Sequence, residues 1–115
     1  MNFPSEYHGK IVVIVSNVEK LDTSNAAELK TIFTVVNKTG NNKIIFNLEK
    51  TKYCDSSGLS AILVANRLCK DTNGAFVMYG LQPTVMKMVE IAQLNKVLQI
   101  CTTKEEALSS LEQAI

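Results

Sequence analysis

Short runs of consecutive apolar residues alternate along this chain with longer stretches of helical spacing, and few folds accommodate that order. The runs are Lys10–Val15, Lys43–Leu48, Ala75–Tyr79 and Val97–Ile100. Each has the length of a strand, and most are apolar at successive positions rather than at every second one. A strand that is apolar on both faces needs cover on both, as in a parallel sheet with helices packed over it. Between the runs the pattern turns helical. Over Asp22 to Thr39, Ala26, Leu29, Phe33 and Val36 recur at helical spacing, Asp22, Ser24 and Asn25 offer capping oxygens, and Gly40 supplies a stop.

A second helix is predicted from about Ser57 to Asp71, broken by Asn73-Gly74. A third opens at Gln82-Pro83-Thr84, with proline at a tolerated first-turn position and an apolar stripe of Val85, Met88, Val89 and Ala92. The fourth starts at Thr103, which stands at capping-box spacing from Glu106, and turns Ala107, Leu108 and Leu111 inward. The order β-α-β-α-β-α-β-α predicts an α/β fold: a small, mostly parallel (mixed) β-sheet of about four strands flanked by about four helices, joined by right-handed crossovers. A length of 115 residues is that of one domain, expected over 1–115.

Charge and cysteine content narrow the function classes. Lys+Arg 12 against Asp+Glu 11 leaves a net charge of +1, so there is no basic field of the kind that holds nucleic acid or an anionic lipid surface. Ile11–Val15 is far shorter than the roughly 20 apolar residues that span a bilayer, and it lacks the pattern of a secretory leader. A cytoplasmic protein is expected, with neither nucleic acid nor membrane as partner. Cys54, Cys69 and Cys101 are odd in number and include no Cys-x-x-Cys pair, which argues against a disulfide framework or a zinc site; no metal or cofactor is expected. The one histidine, His8, lies in a polar N-terminal stretch, and no third group is suggested to orient a Cys–His nucleophile. The cysteines read as small core fillers.

The most unusual local chemistry is Cys54-Asp55-Ser56-Ser57-Gly58-Leu59, at a strand-to-helix junction where α/β proteins place function. Asp55 and the serines are also ordinary capping residues for the amides of a helix start. Gly58, inside the helix, costs about 1 kcal/mol against alanine. One reason to accept that cost is the close approach of another molecule's backbone or a phosphate.

On a wheel of 100° per residue, Val64, Leu68, Ala61, Ala65, Cys69 and Ile62 form a core arc, and Asn66, Lys70, Arg67, Ser60 and Asp71 the opposite one. Leu59 and Leu63 fall inside the polar arc. Either neighbouring helices cover them, or with Ser56, Ser60 and Arg67 at their rim they form a small apolar patch for a partner. A phosphate on Ser56 would add about −1.5 to −2 charges beside Asp55. A helix N-terminus tolerates an anion, so binding would change while the fold survived. Arg67 and Lys70 read either as a solvated face or as steering charges for an acidic partner.

Ile44-Ile45-Phe46-Asn47-Leu48, followed after a short loop by Asp55-Ser56-Ser57-Gly58-Leu59, resembles the STAS domain of the anti-sigma factor antagonist (anti-anti-sigma) type. Leu21-Asp22, Gln82-Pro83-Thr84-Val85 and Glu105-Glu106-Ala107-Leu108 extend the likeness from about Lys10 to Leu111. The resemblance implies a STAS-like fold without catalysis, binding an anti-sigma factor that is also a serine kinase, so that sigma is released. It implies phosphorylation by that kinase, with ATP, at the first serine of the motif, Ser56, and resetting by a protein phosphatase. The partner-binding set it implies is Asp22, Asp55, Ser56, Ser57, Gly58 and Leu59, to which the wheel adds Leu63 and Arg67.

Three departures from the family pattern bear on the fold. Met1–Gly9 is short and contains Pro4, so an extra N-terminal strand would be truncated or lie at an edge. Lys20 stands where a glycine usually precedes the Leu-Asp pair. Gln93-Leu94 replaces a Gly-Leu helix stop, so the third helix is expected to end differently, near Asn95. The alternative function is a ligand- or nucleotide-sensing STAS domain in another signalling complex, although Gly40 and Gly74 are isolated and no phosphate-cradling loop is present. An enzyme with Ser56 or Ser57 as nucleophile lacks a nearby base.

Overall fold

Neighbouring residues on the strands face opposite layers, which is why the apolar runs are unbroken. In the computed structural model, which describes residues 1–112, strands β1 (Ser5–His8), β2 (Ile11–Val15), β4 (Lys43–Asn47), β6 (Ala75–Tyr79) and β7 (Gln99–Cys101) form one sheet in the order β1-β2-β4-β6-β7. β3 (Lys20–Leu21) and β5 (Tyr53–Cys54) form a separate two-stranded ribbon. The helices are α1 (Ala26–Lys38), α2 (Ser56–Asp71), α3 (Pro83–Ile91) and α4 (Lys104–Glu112), with a 3-10 turn at Leu94–Lys96. β2, β4, β6 and β7 are mutually parallel; β1 is antiparallel to β2.

Val12, Ile14, Ile44, Phe46, Phe76 and Met78 share the larger core with α1, α2 and α3. Ile11, Val13, Ile45, Val77 and Tyr79 pack on Ala107 and Leu111 of α4. At the centre of the larger core, Phe33 of α1 stands edge-on to Phe46 and Phe76, with ring centroids 5.2 and 5.6 Å away. Such pairs contribute about 0.5–1.5 kcal/mol each beyond their burial, and these two clamp α1 to adjacent strands. Among the described residues no helix is long and apolar enough to cross a membrane.

The expected mostly parallel α/β sheet is present, with one more strand than anticipated and an added ribbon. The N-terminal segment does form a strand, at the sheet's edge. All four residues of β1 are exposed, so no apolar pattern announced it, and Pro4 stands just before it, where its carbonyl accepts from the Val15 amide at 2.9 Å. The ribbon strands have two residues each, too few for a pattern to show. Cys54 and Cys69 are core fillers: burial, joined at Cys54 by the charge of Asp55, pushes both thiols up to about 12. Cys101 is half-buried.

The third helix stops earlier than Asn95. Ile91 is its last residue, Ala92 caps it, and Gln93 turns left-handed at φ 59°. The last strand begins at Gln99 rather than Val97, because the Leu94 carbonyl accepts both the Val97 and Leu98 amides, at 3.0 and 2.8 Å, and winds them into the preceding turn. A left-handed conformation costs a side-chain-bearing residue about 1–2 kcal/mol, part of which a glycine loses again through its freer unfolded chain. Gln93→Gly is therefore expected to stabilise the protein by about 0.5–1 kcal/mol, read as a higher midpoint in chemical denaturation with an unchanged slope.

Candidate functional site

The β3–β5 ribbon builds the junction. Lys20 pairs with Tyr53 and Leu21 with Cys54, and the Asp55 amide continues the ladder by donating to the Leu21 carbonyl at 3.1 Å. Because Leu21 and Cys54 are in register, the residues that follow them, Asp22 and Asp55, leave the same end of the ribbon. Thr51 anchors the loop before β5. Its hydroxyl meets that of buried Ser16 at 2.6 Å and donates to the Val18 carbonyl at 2.8 Å.

Asp55 is the N-cap of α2, in extended conformation (φ −97°, ψ −173°). One of its oxygens, Oδ1, accepts from the Ser57 amide at 2.9 Å, the Gly58 amide at 3.1 Å and the Ser57 hydroxyl at 2.5 Å. The Ser57 hydroxyl foremost, then the Gly58 amide, hold the carboxyl below the usual carboxylate range. Ser57 is half-buried. Ser56 is exposed, and among the described residues nothing hydrogen-bonds its hydroxyl. Asp22 does for its own loop what Asp55 does for the helix. Its Oδ1 accepts from the Ser24 amide at 3.0 Å and the Ser24 hydroxyl at 2.6 Å, while its amide donates to Asn25 Oδ1 at 3.1 Å.

Gly58 and Leu59 correct the sequence reading. A Cβ on Gly58 would stand 2.7 Å from Cys54 Sγ, 2.8 Å from the Leu21 carbonyl oxygen and 2.9 Å from Leu21 Cγ. The close approach that requires this glycine is internal, between α2 and the ribbon, rather than to a phosphate or a partner backbone. Leu59 is only 6% exposed and belongs to the larger core, against which half-buried Leu63 also packs. The exposed leucine patch is therefore absent. The wheel erred because it assumes burial from one direction, whereas the first turn of α2 is also covered by the ribbon. Asn66, placed on the polar arc, is buried too, at 6% exposure.

Ser56, Ser60, Leu63 and Arg67 do share one stripe of α2, with Ser56, Ser60 and Arg67 exposed. The structure brings Asp22, Asp55, Ser56 and Ser57 together at the ribbon's end. Arg67 lies three turns on, about 16 Å along the helix axis. Two residues of this surface went unnoticed in the sequence. Tyr53, 41% exposed, sits cross-strand from exposed Lys20, and Lys52 beside it pairs with Glu19 at 3.8 Å. The large grooves lie elsewhere: one of about 700 Å³ between β7 and α4, lined by residues such as Cys101, Glu105 and Ser109, and one of about 350 Å³ beneath Leu81 and Met86. Among the described residues no cluster of His, Cys, Asp or Glu could hold a metal ion.

Comparison with known proteins bears on this arrangement. The STAS domain profile matches residues 3–107. A Bordetella bronchiseptica protein, provisionally named the anti-sigma factor antagonist BtrV, is 23% identical over 104 residues, covering 90% of this chain and 83% of that one. A Thermotoga maritima crystal structure, again provisionally named an anti-sigma factor antagonist, superposes with a TM-score of 0.89 at 24% identity over 96% of this chain and 94% of the other. The anti-sigma factor antagonist SpoIIAA, also 24% identical, has been solved unphosphorylated (TM-score 0.83, covering 98% of each chain), and the Bacillus cell fate determinant SpoIIAA, again 24% identical, phosphorylated (TM-score 0.72, covering 94% and 97%). The structural likenesses show a shared fold.

The internal packing of Gly58 and Leu59 gives a direct check. Gly58→Ala is expected to destabilise by about 1–3 kcal/mol through overpacking, although alanine is the better helix former, and Leu59→Ala by about 2–4 kcal/mol through loss of core volume. Chemical denaturation reads both, and a loss below about 1 kcal/mol at Leu59 would return it to the surface. The depressed Asp55 carboxyl has a pH signature. A folded-state pKa below the unfolded one contributes stability that is fully present above the ordinary carboxylate range and is lost as pH falls through the depressed value. Asp55→Asn keeps an accepting cap without the charge. Wild type should therefore melt above Asp55→Asn at pH 7, and the two should converge in acid.

Proposed function

This chain belongs to the STAS domain family, and on that premise we propose that it is an anti-sigma factor antagonist whose grip on its partner is switched by phosphorylation at Ser56. The observation that carries the proposal is the state of Ser56 itself. It is exposed, its hydroxyl is free of hydrogen bonds among the described residues, and it sits at the first position of a helix beside two ordered carboxylates, Asp55 and Asp22. The relatives and structural neighbours named as anti-sigma factor antagonists, and SpoIIAA's two phosphorylation forms, support the reading. STAS proteins of this kind act by binding.

In this reading the partner is an anti-sigma factor that is also a serine kinase, and it docks over the ribbon's end. Asp22, Asp55, Ser56 and Ser57 form the centre of the contact, with Lys20, Tyr53 and Ser60 around them. Gly58 and Leu59 act from beneath, by setting the height of the helix. Leu63 and Arg67 extend the contact along α2. Transfer of phosphate to Ser56 adds about −1.5 to −2 charges at neutral pH. The Ser57 and Gly58 amides are already filled by Asp55, so the new anion faces outward, next to two carboxylates, into whatever covers the junction. A partner surface that fitted the neutral hydroxyl is then repelled and wetted. A protein phosphatase restores the neutral form.

Incubating the protein with ATP and lysate of its own cells, followed by mass spectrometry, should add one phosphate, mapped to Ser56. Against the kinase isolated from that lysate by its binding to the unphosphorylated protein, Ser56→Ala should bind like wild type and resist switching, while Ser56→Asp should bind at least about tenfold more weakly, the scale of a like-charge contact at an interface. Full affinity in Ser56→Asp would contradict the mechanism.

A further inference from the structure

The motif presents two adjacent serines, and the structure treats them unequally. We propose that Asp55 decides which serine is modified, by locking the Ser57 hydroxyl and leaving Ser56 as the acceptor. The inference rests on the phosphorylation switch just described and adds its site selector.

The asymmetry is geometric. The Ser57 hydroxyl donates to Asp55 Oδ1 at 2.5 Å, the oxygen that also accepts the Ser57 and Gly58 amides. Its rotamer is thereby pinned inward, and Ser57 is half-buried where Ser56 is exposed. In phosphoryl transfer from ATP, the serine Oγ forms a bond to the γ-phosphorus as the bond to the ADP oxygen breaks. The hydroxyl proton leaves to a base on the kinase, and phosphoserine and ADP result. At Ser56 the oxygen is free to turn towards an incoming nucleotide, and the product charge points into solvent. At Ser57 the oxygen would first have to leave Asp55. The dianion formed would then stand at hydrogen-bond distance from a carboxylate that three donors hold ionised, and two anions at that separation repel strongly even in a partly hydrated site. Asp55 touches no reacting atom in this scheme; it is a positioning residue for the acceptor.

Two measurements test the selection, the first without any kinase. The Asp55 carboxyl is titrated by carbon-13 NMR in wild type, Ser56→Ala and Ser57→Ala. Loss of the Ser57 hydroxyl should move the midpoint up and loss of the Ser56 hydroxyl should leave it in place. An unmoved midpoint in Ser57→Ala, or an equal shift in Ser56→Ala, overturns the lock.

The second measurement maps phosphate after incubation with labelled ATP and cell lysate. Wild type should be labelled on Ser56 alone. Ser56→Ala should be labelled on Ser57 at least about tenfold more slowly than wild type is on Ser56, the scale of a broken hydrogen bond to a charged group. The double variant Ser56→Ala/Asp55→Ala, confirmed folded by its melting curve, should recover label on Ser57. Ready labelling of Ser57 in Ser56→Ala, or none in a double variant that is folded and still binds the kinase in a pull-down, overturns Asp55 as selector while the switch at Ser56 stands. Wild type that takes no phosphate at the junction overturns the switch and the selector together.

Discussion

The closeness of α2 to the β3–β5 ribbon is the constraint on which the site depends. Only a residue without a Cβ lets the first turn of the helix settle 2.8 Å (measured from where that Cβ would be) from the Leu21 carbonyl oxygen and 2.7 Å from Cys54 Sγ. At that depth the Asp55 carboxylate meets the helix amides, Leu59 seals the core below, and Ser56 is left on the rim. A larger residue at position 58 would lift the turn, and cap, seal and rim would shift together. Residues one step apart in sequence thus divide the labour: positions 58 and 59 hold the scaffold while 56 and 60 face solvent.

What was legible in the sequence follows from how much of each element is buried. β2, β4 and β6 are covered on both faces, so their apolar residues run on without a break and mark themselves. β1 is an exposed polar edge, and β3 and β5 are held by register and by backbone hydrogen bonds more than by any pattern of side chains; none of the three leaves a hydrophobic signature. The helix wheel resolved the angle at which α2 faces the sheet but not what lies over each of its turns, so Leu59 and Asn66 were placed outside the core. Gln93 stopped α3 without a glycine, by adopting the left-handed conformation itself, which no propensity would have suggested. In the site, Asp55, Ser56 and Ser57 were legible because capping chemistry is local and carries its own spacing. Gly58 was not, because its reason lies in residues 21 and 54, which only the folded chain brings near.

The same local chemistry limits how a charge at Ser56 can act. A bare helix N-terminus is an attractive seat for an anion, but here Asp55 already occupies it, satisfying two amides and a hydroxyl through one oxygen. A second anion gains little from the dipole and meets a fixed carboxylate instead. The core beneath, with Leu21, Cys54 and Leu59 fully or almost fully buried, is close-packed and does not deform continuously. The change of charge is therefore expressed at the surface, as repulsion and wetting of whatever covers the junction, rather than as a rearrangement of the fold.

Screening then sets the reach of that signal. At physiological ionic strength the interaction between exposed charges fades over about 8 Å, a reach that spans the roughly 4.8 Å between the paired ribbon strands leading into Asp22 and Asp55 but not the about 16 Å along α2 to Arg67. A partner held chiefly through Arg67 would hardly sense the state of Ser56, whereas one seated over Lys20, Tyr53 and Asp22 would sense it fully. For the switch to work, most of the binding energy has to be concentrated within the first turn of α2 and the ribbon that supports it. There the carboxylates of Asp22 and Asp55 hold the backbone through side-chain caps, so an anion added at Ser56 meets fixed charges rather than ones free to turn away.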